Sequence, residues 1–289
     1  MTQPESLSFG GSSGGAHPTV RVALVTGASA GIGRACADRL AGGGWTVIGA
    51  SRRGTSSGNT GTSNWSGMAL NVDEDAAVKA AVASIADQHG RLDAVVAAAG
   101  WGVAGAAEFT TISAAKAQFE TNFWGCVRVV QAALPLMRAQ HSGRIVLISS
   151  IGGVIGIPFQ AYYSASKFAL EGFAESLAYE VIPFGVTVTL VQPGNIKTDF
   201  TASRQIDAAG DANGVYAAAM RKAVAVMERD EANGAAAELV AAAVQRALET
   251  GRPPRRVSVG KAGERAGVVA KRLLPFRVFE AAAKASLGV

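Results

Sequence analysis

From Val20 onward, short runs of almost unbroken apolar residues alternate with longer stretches in which apolar positions recur every three to four residues. The short runs are VRVALVTG, WTVIGA, GMALNV, LDAVVAAAG, GRIVLISS and VTVTLVQPG. A strand with one wet face would alternate polar and apolar residues. These runs do not, so they read as strands buried on both faces. The longer stretches are GRACADRLAGG, EDAAVKAAVASIADQHG, a segment from about Ser113 to Gln140, and SASKFALEGFAESLAYEV, and they read as helices. Such alternation predicts an α/β fold: a Rossmann-type, doubly wound parallel sheet with helices on both faces.

Two regions leave this rhythm. RRGTSSGNTGTSNWSG, between the second and third strands, is too rich in Gly, Ser and Thr for a helix and reads as a loop. After Pro193-Gly194 the alternation stops, and about 195–235 combines a polar loop with the helical pattern GVYAAAMRKAVAVMERD. A helix (AAAELVAAAVQRALET), a turn (GRPP), a short strand (RRVSVG) and a helical extension over about 261–289 follow. With no internal repeat and no linker, residues 20–289 read as a single domain. Residues 1–19, which contain SFGGSSGGAHPT, read as a disordered tail.

Composition narrows the function classes. The 289 residues are 49% hydrophobic and 17% charged, which suits a globular chain. The formal charge of +5 is modest, and no aromatic-basic interleaving points to nucleic acid. Three histidines and two cysteines, Cys36 and Cys126, form no metal-spaced cluster, so no metal site is expected. The thiols read as small core residues of a reducing compartment. There is no basic start followed by an apolar run, and no stretch of about 18 apolar residues. A cytoplasmic location is the expectation.

Candidate chemistry begins at Thr26. Gly27, Gly31 and Gly33, in TGASAGIG, follow the first strand and open the first helix. Without side chains there, the backbone around Ser29, Ala30 and Ile32 can approach a pyrophosphate, which the free N–H groups and positive helix end attract. The second strand ends at Ser51-Arg52-Arg53. Dinucleotide sites place an acid there for the ribose hydroxyls or a base for a 2′-phosphate. Two arginines and no acid argue for NADP(H) over NAD(H); the bland alternative is two solvated surface side chains. Arg34 adds positive field.

YYSASKFAL holds two tyrosines and one lysine. A tyrosine that exchanges a proton near neutral pH needs its pKa lowered from about 10, and a neighbouring ammonium favours the phenolate. Residues four apart share a helix face. Tyr163 pairs with Lys167, whereas Tyr162 pairs with Ser166. The spacing therefore selects Tyr163.

Taken in order, TGASAGIG, AAAG, TNFWG, ISSIGG, YSASK and PGNIKT resemble the short-chain dehydrogenase/reductase family, over roughly residues 20 to 200. SSIGGVIGIPFQAYYSASKFALEGFAESLAYEV is most similar to its hydroxysteroid and retinol dehydrogenase branch. The resemblance implies a catalytic acid/base at Tyr163, with Lys167 lowering its pKa and bonding the nicotinamide ribose. It implies a serine at Ser150 that bonds the substrate oxygen, and an asparagine at Asn122 that supports a water-linked proton relay. Thr198 matches a contact near the nicotinamide, with Pro193, Gly194 and Ile196 beside it. Asn71 and Val72 fall where the family usually has Asp-Val beside the adenine. Ala98 and Gly100 end the fourth strand. The family commonly carries Asn-Asn-Ala-Gly where this chain has Ala97-Ala98-Ala99-Gly100. The expectation is an intact pocket at a strand end less firmly tied.

These parts imply hydride transfer between NADP(H) and the carbonyl or secondary alcohol of an apolar substrate, steroid-, retinoid-, fatty- or polyketide-like. Trp101, Val154, Phe200, Tyr216, Met220 and Met227 are candidates for its pocket, although each is individually as well explained by ordinary core packing. The alternative is an NADP(H)-binding sensor or scaffold without turnover. Such a protein could discard Ser150, Tyr163 or Lys167, and all are present. The basic, apolar tail ERAGVVAKRLLPFRVFEAAAKASLG could instead lie on a membrane surface. The resemblance also implies a homodimer or homotetramer through the long helices.

Overall fold

The computed structural model describes residues 20–54, 65–207 and 214–287. The expected N-terminal tail and most of the Gly/Ser/Thr-rich loop lie outside them. The sheet contains β1 (Val22–Thr26), β2 (Thr46–Ser51), β3 (Ser66–Ala69), β4 (Ala94–Ala97), β5 (Gly143–Ile148), β6 (Val186–Pro193) and β7 (Arg256–Val259). All seven are parallel, in the order β3-β2-β1-β4-β5-β6-β7.

Burial on both faces explains the unbroken apolar runs. Successive side chains of a strand point to opposite faces. Val22 and Leu24 of β1 enter one core, and Ala23 and Val25 enter the other. Ile145 and Leu147 of β5 likewise part from Val146 and Ile148. The first core is closed by α2 (Asp75–His89), α4 (Cys126–Ala139) and α5 (Ala161–Val181), the second by α1 (Gly31–Gly42) and α7 (Ala237–Glu249). Each helix presents a stripe at helical spacing, such as Leu170, Ala174, Leu177, Ala178 and Val181 of α5.

The segment read as one helix from Ser113 to Gln140 is two. α3 (Ile112–Phe119) and α4 flank a π-helical turn over Glu120–Gly125, which buries Thr121, Asn122 and Gly125. Gly125 packs so closely that an added Cβ would lie 2.7 Å from Val72 Cγ2.

The region after β6 is folded back onto the sheet's C-terminal edge. Ile196–Lys197 pairs with Ala235–Ala236, and Val103–Ala104 pairs with Gln205–Ile206, both parallel. Between them lie a single turn of helix, Phe200–Ser203, and α6 (Ala217–Ala232). The final helical run is broken before Pro275, whose ring cannot continue a helix. It forms α8 (Ala262–Leu273) and α9 (Phe276–Leu287). These two pack on β7 and α6, burying Val268 and Phe279 and leaving Leu273, Leu274, Phe276 and Val278 exposed. Among the described residues, no helix is long and apolar enough to cross a membrane.

Candidate active site

Sheet order reverses between β1 and β4, so the loops leaving these strands diverge and open a crevice at their C-terminal ends. A cleft of about 570 Å³ lies there.

One half is backbone. Gly27 and Gly31 have φ of +70° and +54°, the left-handed region that favours glycine. A Cβ on Gly33 would lie 2.3 Å from Gly27 O, and one on Gly27 would lie 2.8 Å from Ala98 O. The loop therefore packs too tightly for any side chain at these positions. The N-cap of α1, Ala30, makes no side-chain cap, and the first turn holds no acid. Its free N–H groups adjoin the cleft, where they suit a phosphate anion. Arg52 and Arg53 line the cleft at the end of β2 and are exposed. Arg34 is drawn away, ion-paired with Asp38 at 2.8 Å and lying 5.4 Å over the Trp65 ring.

Three cleft-lining residues carry buried polar atoms without a partner among the described residues: Ser51 Oγ, Ser149 Oγ and Gln160 Nε2. Such atoms are costly in a closed core and are satisfied when a polar ligand fills the site. A glycine cradle, an uncapped helix end and unpaired polar atoms together fit a dinucleotide.

The strand end lacking the family's amides is tied in another way. Thr26 Oγ1 accepts hydrogen bonds from the backbone N–H groups of Ala98 (3.1 Å) and Ala99 (3.2 Å). The expected loosening is thus offset by a β1 side chain.

The other half holds the side chains of Ser150, Tyr163 and Lys167. Ser150, two residues beyond β5, caps a short 3-10 turn, its Oγ accepting from Gly152 N at 3.0 Å. Its own proton stays available to a second partner. Tyr163, in the first turn of α5, is 8% exposed and hydrogen-bonds Ser150 through its hydroxyl. Burial pushes its pKa up, the Ser150 bond and the Arg204 charge pull it down, and Glu231 pushes it up. Lys167 is buried, and its Nζ donates to Ile148 O at 2.8 Å. Burial lowers its pKa, against the pull of Cys126 and Glu171.

This corrects one expectation. Lys167 shares a helix with Tyr163 and lines the same cleft, but its ammonium is turned to a backbone carbonyl. In this structure the downward pull on the phenol comes from Ser150 and Arg204.

Asn122 is fully buried beneath the cleft. Its Oδ1 accepts from Trp101 N at 3.0 Å and its Nδ2 donates to Trp101 O at 2.9 Å. A Cβ on Gly100 would sit 3.1 Å from Asn122 Oδ1 and 3.8 Å from Lys167 Nζ, so both groups converge behind Gly100.

Of the other residues singled out from the sequence, Ser29, Ala30, Ile32, Val72, Ala98, Gly100, Pro193, Gly194, Ile196 and Thr198 all line the cleft. Asn71 does not. Its amide donates to Glu74 Oε1 at 2.8 Å, beside the start of α2, and Leu70 lines the wall instead. Of the substrate-pocket candidates, Trp101 and Phe200 line the cleft. Val154, Tyr216 and Met220 do not. Met220, Ala223 and Met227 share the inward face of α6, and the Tyr216 hydroxyl bonds Glu108 at 2.9 Å. Gln160, Asp199, Ser203 and Glu231 line the cleft unforeseen. Glu231 sits in MERDEA, a run that reads as a solvated helix face. The pairing of Ala235–Ala236 with Ile196–Lys197, just beyond it in the chain, holds this end of α6 at the site, and that of Gln205–Ile206 with Val103–Ala104 holds the segment of its partner Arg204.

Cys36 and Cys126 are buried free thiols, with Cys36 pushed up to about 12 by burial. No group of three metal-ligating side chains occurs among the described residues.

Comparison with known proteins bears on this arrangement. A family profile described as "short chain dehydrogenase" matches residues 21–209. The chain is 40% identical over 240 residues to a 3-ketodihydrosphingosine reductase of Bacteroides thetaiotaomicron, covering 83% of this chain and 88% of that protein. It is 44% identical over 113 residues to retinol dehydrogenase 8 of Bos taurus, but that covers only 39% of this chain and 36% of the relative. A short-chain dehydrogenase of Streptomyces avermitilis superimposes with a TM-score of 0.77 at 30% identity, over 93% of this chain and 99% of that one. The chain belongs to the short-chain dehydrogenase/reductase family, and it is an NAD(P)-dependent oxidoreductase of that family.

Proposed function

We propose that the protein is an NADP(H)-dependent reductase of long-chain ketones. The observation that carries this reading is the buried Tyr163 hydroxyl, hydrogen-bonded to Ser150 at the cleft, with Lys167 one turn further along α5.

The nicotinamide, when bound, supplies or accepts a hydride at the carbonyl carbon. The chain does the rest. The glycine loop and the start of α1 hold the pyrophosphate, and Arg52 and Arg53 meet a 2′-phosphate. Tyr163 gives its proton to the carbonyl oxygen, and Ser150 donates a hydrogen bond to the same oxygen as charge develops there. Ser150 is pre-aimed by the Gly152 N–H it accepts. Lys167 would hold the nicotinamide ribose with a proton not given to Ile148 O, and would support resupply of the proton. Asn122 fixes the Trp101 peptide, and with it the wall behind Gly100.

Phe200 and Trp101 give the substrate end apolar surface. A fatty chain suits that wall, and the keto substrate named for the Bacteroides relative makes a long-chain ketone the first choice. We also propose that the protein works as a homo-oligomer in the cytoplasm.

NADPH oxidation with 3-ketodihydrosphingosine, other long-chain ketones and steroid ketones tests this. Tyr163→Phe is expected to lower kcat at least about a hundredfold, as loss of a general acid does. Tyr162→Phe is expected to leave it within a few-fold. Bound NADPH without turnover of any ketone would support the sensor reading instead.

A further inference from the structure

The cleft wall next to Tyr163 carries a buried ion pair that the chemistry above does not use. Glu231, near the end of α6, lines the cleft. Its side chain is 13% exposed, and that of its partner Arg204, behind it, is 1% exposed. One carboxylate oxygen accepts from Arg204 Nη2 and the other from the Thr201 hydroxyl. The guanidinium lies 5.9 Å over the Phe200 ring, and that ring meets the Tyr163 ring edge-on at 5.8 Å. The carboxylate is close enough for its charge to be felt at the Tyr163 phenol.

Such a pair is a poor way to stabilise a wall. Desolvating two charges costs as much as their attraction returns. Arg204 also leaves Nε and Nη1 buried without partners among the described residues. Apolar side chains of the same volume would hold this wall better. What the pair does provide is a fixed carboxylate in the cleft wall, within electrostatic reach of the Tyr163 phenol. Arg204 and Thr201 hold it from behind, and each of its oxygens keeps a free lone pair. An ionised carboxylate only accepts hydrogen bonds, and its strongest partner is a cationic donor. A substrate with only hydrocarbon at this point would leave the remaining lone pairs of a buried carboxylate unsatisfied, which is unfavourable.

We propose that Glu231 is a specificity-determining residue that seats a protonated amino group borne near the reacting carbonyl, so that the substrates are long-chain amino ketones. This deepens the ketone-reductase reading and rests on it. Arg204 and Thr201 are positioning residues for the carboxylate.

The test compares two substrates with NADPH. One is 3-ketodihydrosphingosine, whose amino group sits on the carbon beside the carbonyl. The other is the same ketone with methyl in place of the amino group, which matches it in size and carries no charge. The quantity read is the ratio of their kcat/KM values. In the wild type the amine is expected to lead by about tenfold or more, the scale of one charge-assisted hydrogen bond. Glu231→Gln is expected to bring the ratio close to one. Because that change leaves Arg204 buried without its counter-charge, Arg204→Met/Glu231→Met is made in parallel, with folding checked by thermal melting. It is expected to abolish the ratio in the same way. A wild-type ratio near one overturns the proposal, as does an unchanged ratio in either folded variant. A hydroxy analogue used as well as the amine would overturn the requirement for charge. Turnover of neither ketone is a different result, which would overturn the reductase reading itself.

Discussion

Tyr162 and Tyr163 are adjacent in the chain and have opposite surroundings. Tyr163 is buried at the cleft against Ser150 and Phe200, whereas Tyr162 is half-exposed and donates to Ala107 O at 3.2 Å. Neighbours on a helix point about 100° apart, so only one can share the face that Lys167 occupies. That choice was legible in the spacing. The sign of the electrostatics was not, because burial, which raises the phenol and lowers the ammonium, depends on what the fold stacks around them. The arginines at the end of β2 carry a separate expectation. Both are exposed at the cleft, and the sequence places no acid beside them at the end of β2. Arg52→Ala is expected to lower the NADPH-to-NADH ratio of kcat/KM by about tenfold, the scale of one charge-assisted contact. Steady-state kinetics with both cofactors measures it, and an unmoved ratio would make Arg52 a solvated surface residue.

β1 and β4 are joined beyond their ladder by one hydroxyl. Thr26 Oγ1 takes the N–H groups of both Ala98 and Ala99, at the point where the cleft begins. Thr26→Val keeps the shape and removes the acceptor. It is expected to destabilise the fold by about 1–3 kcal/mol, the cost of unsatisfied buried N–H groups. Urea unfolding of the variant measures this, and a loss below about 0.5 kcal/mol would mean that other groups tie the strand end. Helices and strands read correctly from the sequence where their period persists. α2 and α7 fall within the stretches that carry helical spacing, α1 and α5 begin two and three residues before theirs, and the sheet strands fall inside the apolar runs to within a residue. The π turn at Glu120–Gly125 escaped notice because one extra residue in a single turn barely disturbs a hydrophobic pattern. The same turn buries Asn122, so the missed irregularity lies under the site.

Across the molecule, the sheet's two faces are covered, but some helix surface is not. Phe168 and Tyr179 of α5 are 45% and 67% exposed, and Trp124 in the π turn is 49% exposed. Phe168 and Tyr179 are eleven residues apart, about three turns, and therefore share a face. A self-interface over the long helices is expected to cover them. Sedimentation at micromolar concentration should show a dimer or tetramer, and Tyr179→Glu should shift it toward smaller species. A wild-type monomer would remove the expectation.

Periodicity and glycine spacing, both local, determined the layered α/β fold, the side-chain-free turn at Gly27–Gly33 and the shared helix face of Tyr163 and Lys167. Such features repeat within a few residues and need no distant partner to be recognised. Tertiary structure alone decided what surrounds them. It brought Glu231 and Arg204 to the wall beside Tyr163, sent Met220 into the core, turned Asn71 toward Glu74, and aimed Lys167 at Ile148. Except for the Asn71–Glu74 contact, these outcomes depend on residues many positions apart, or on loops pinned by two-residue ladders. No local pattern encodes where such loops come to rest.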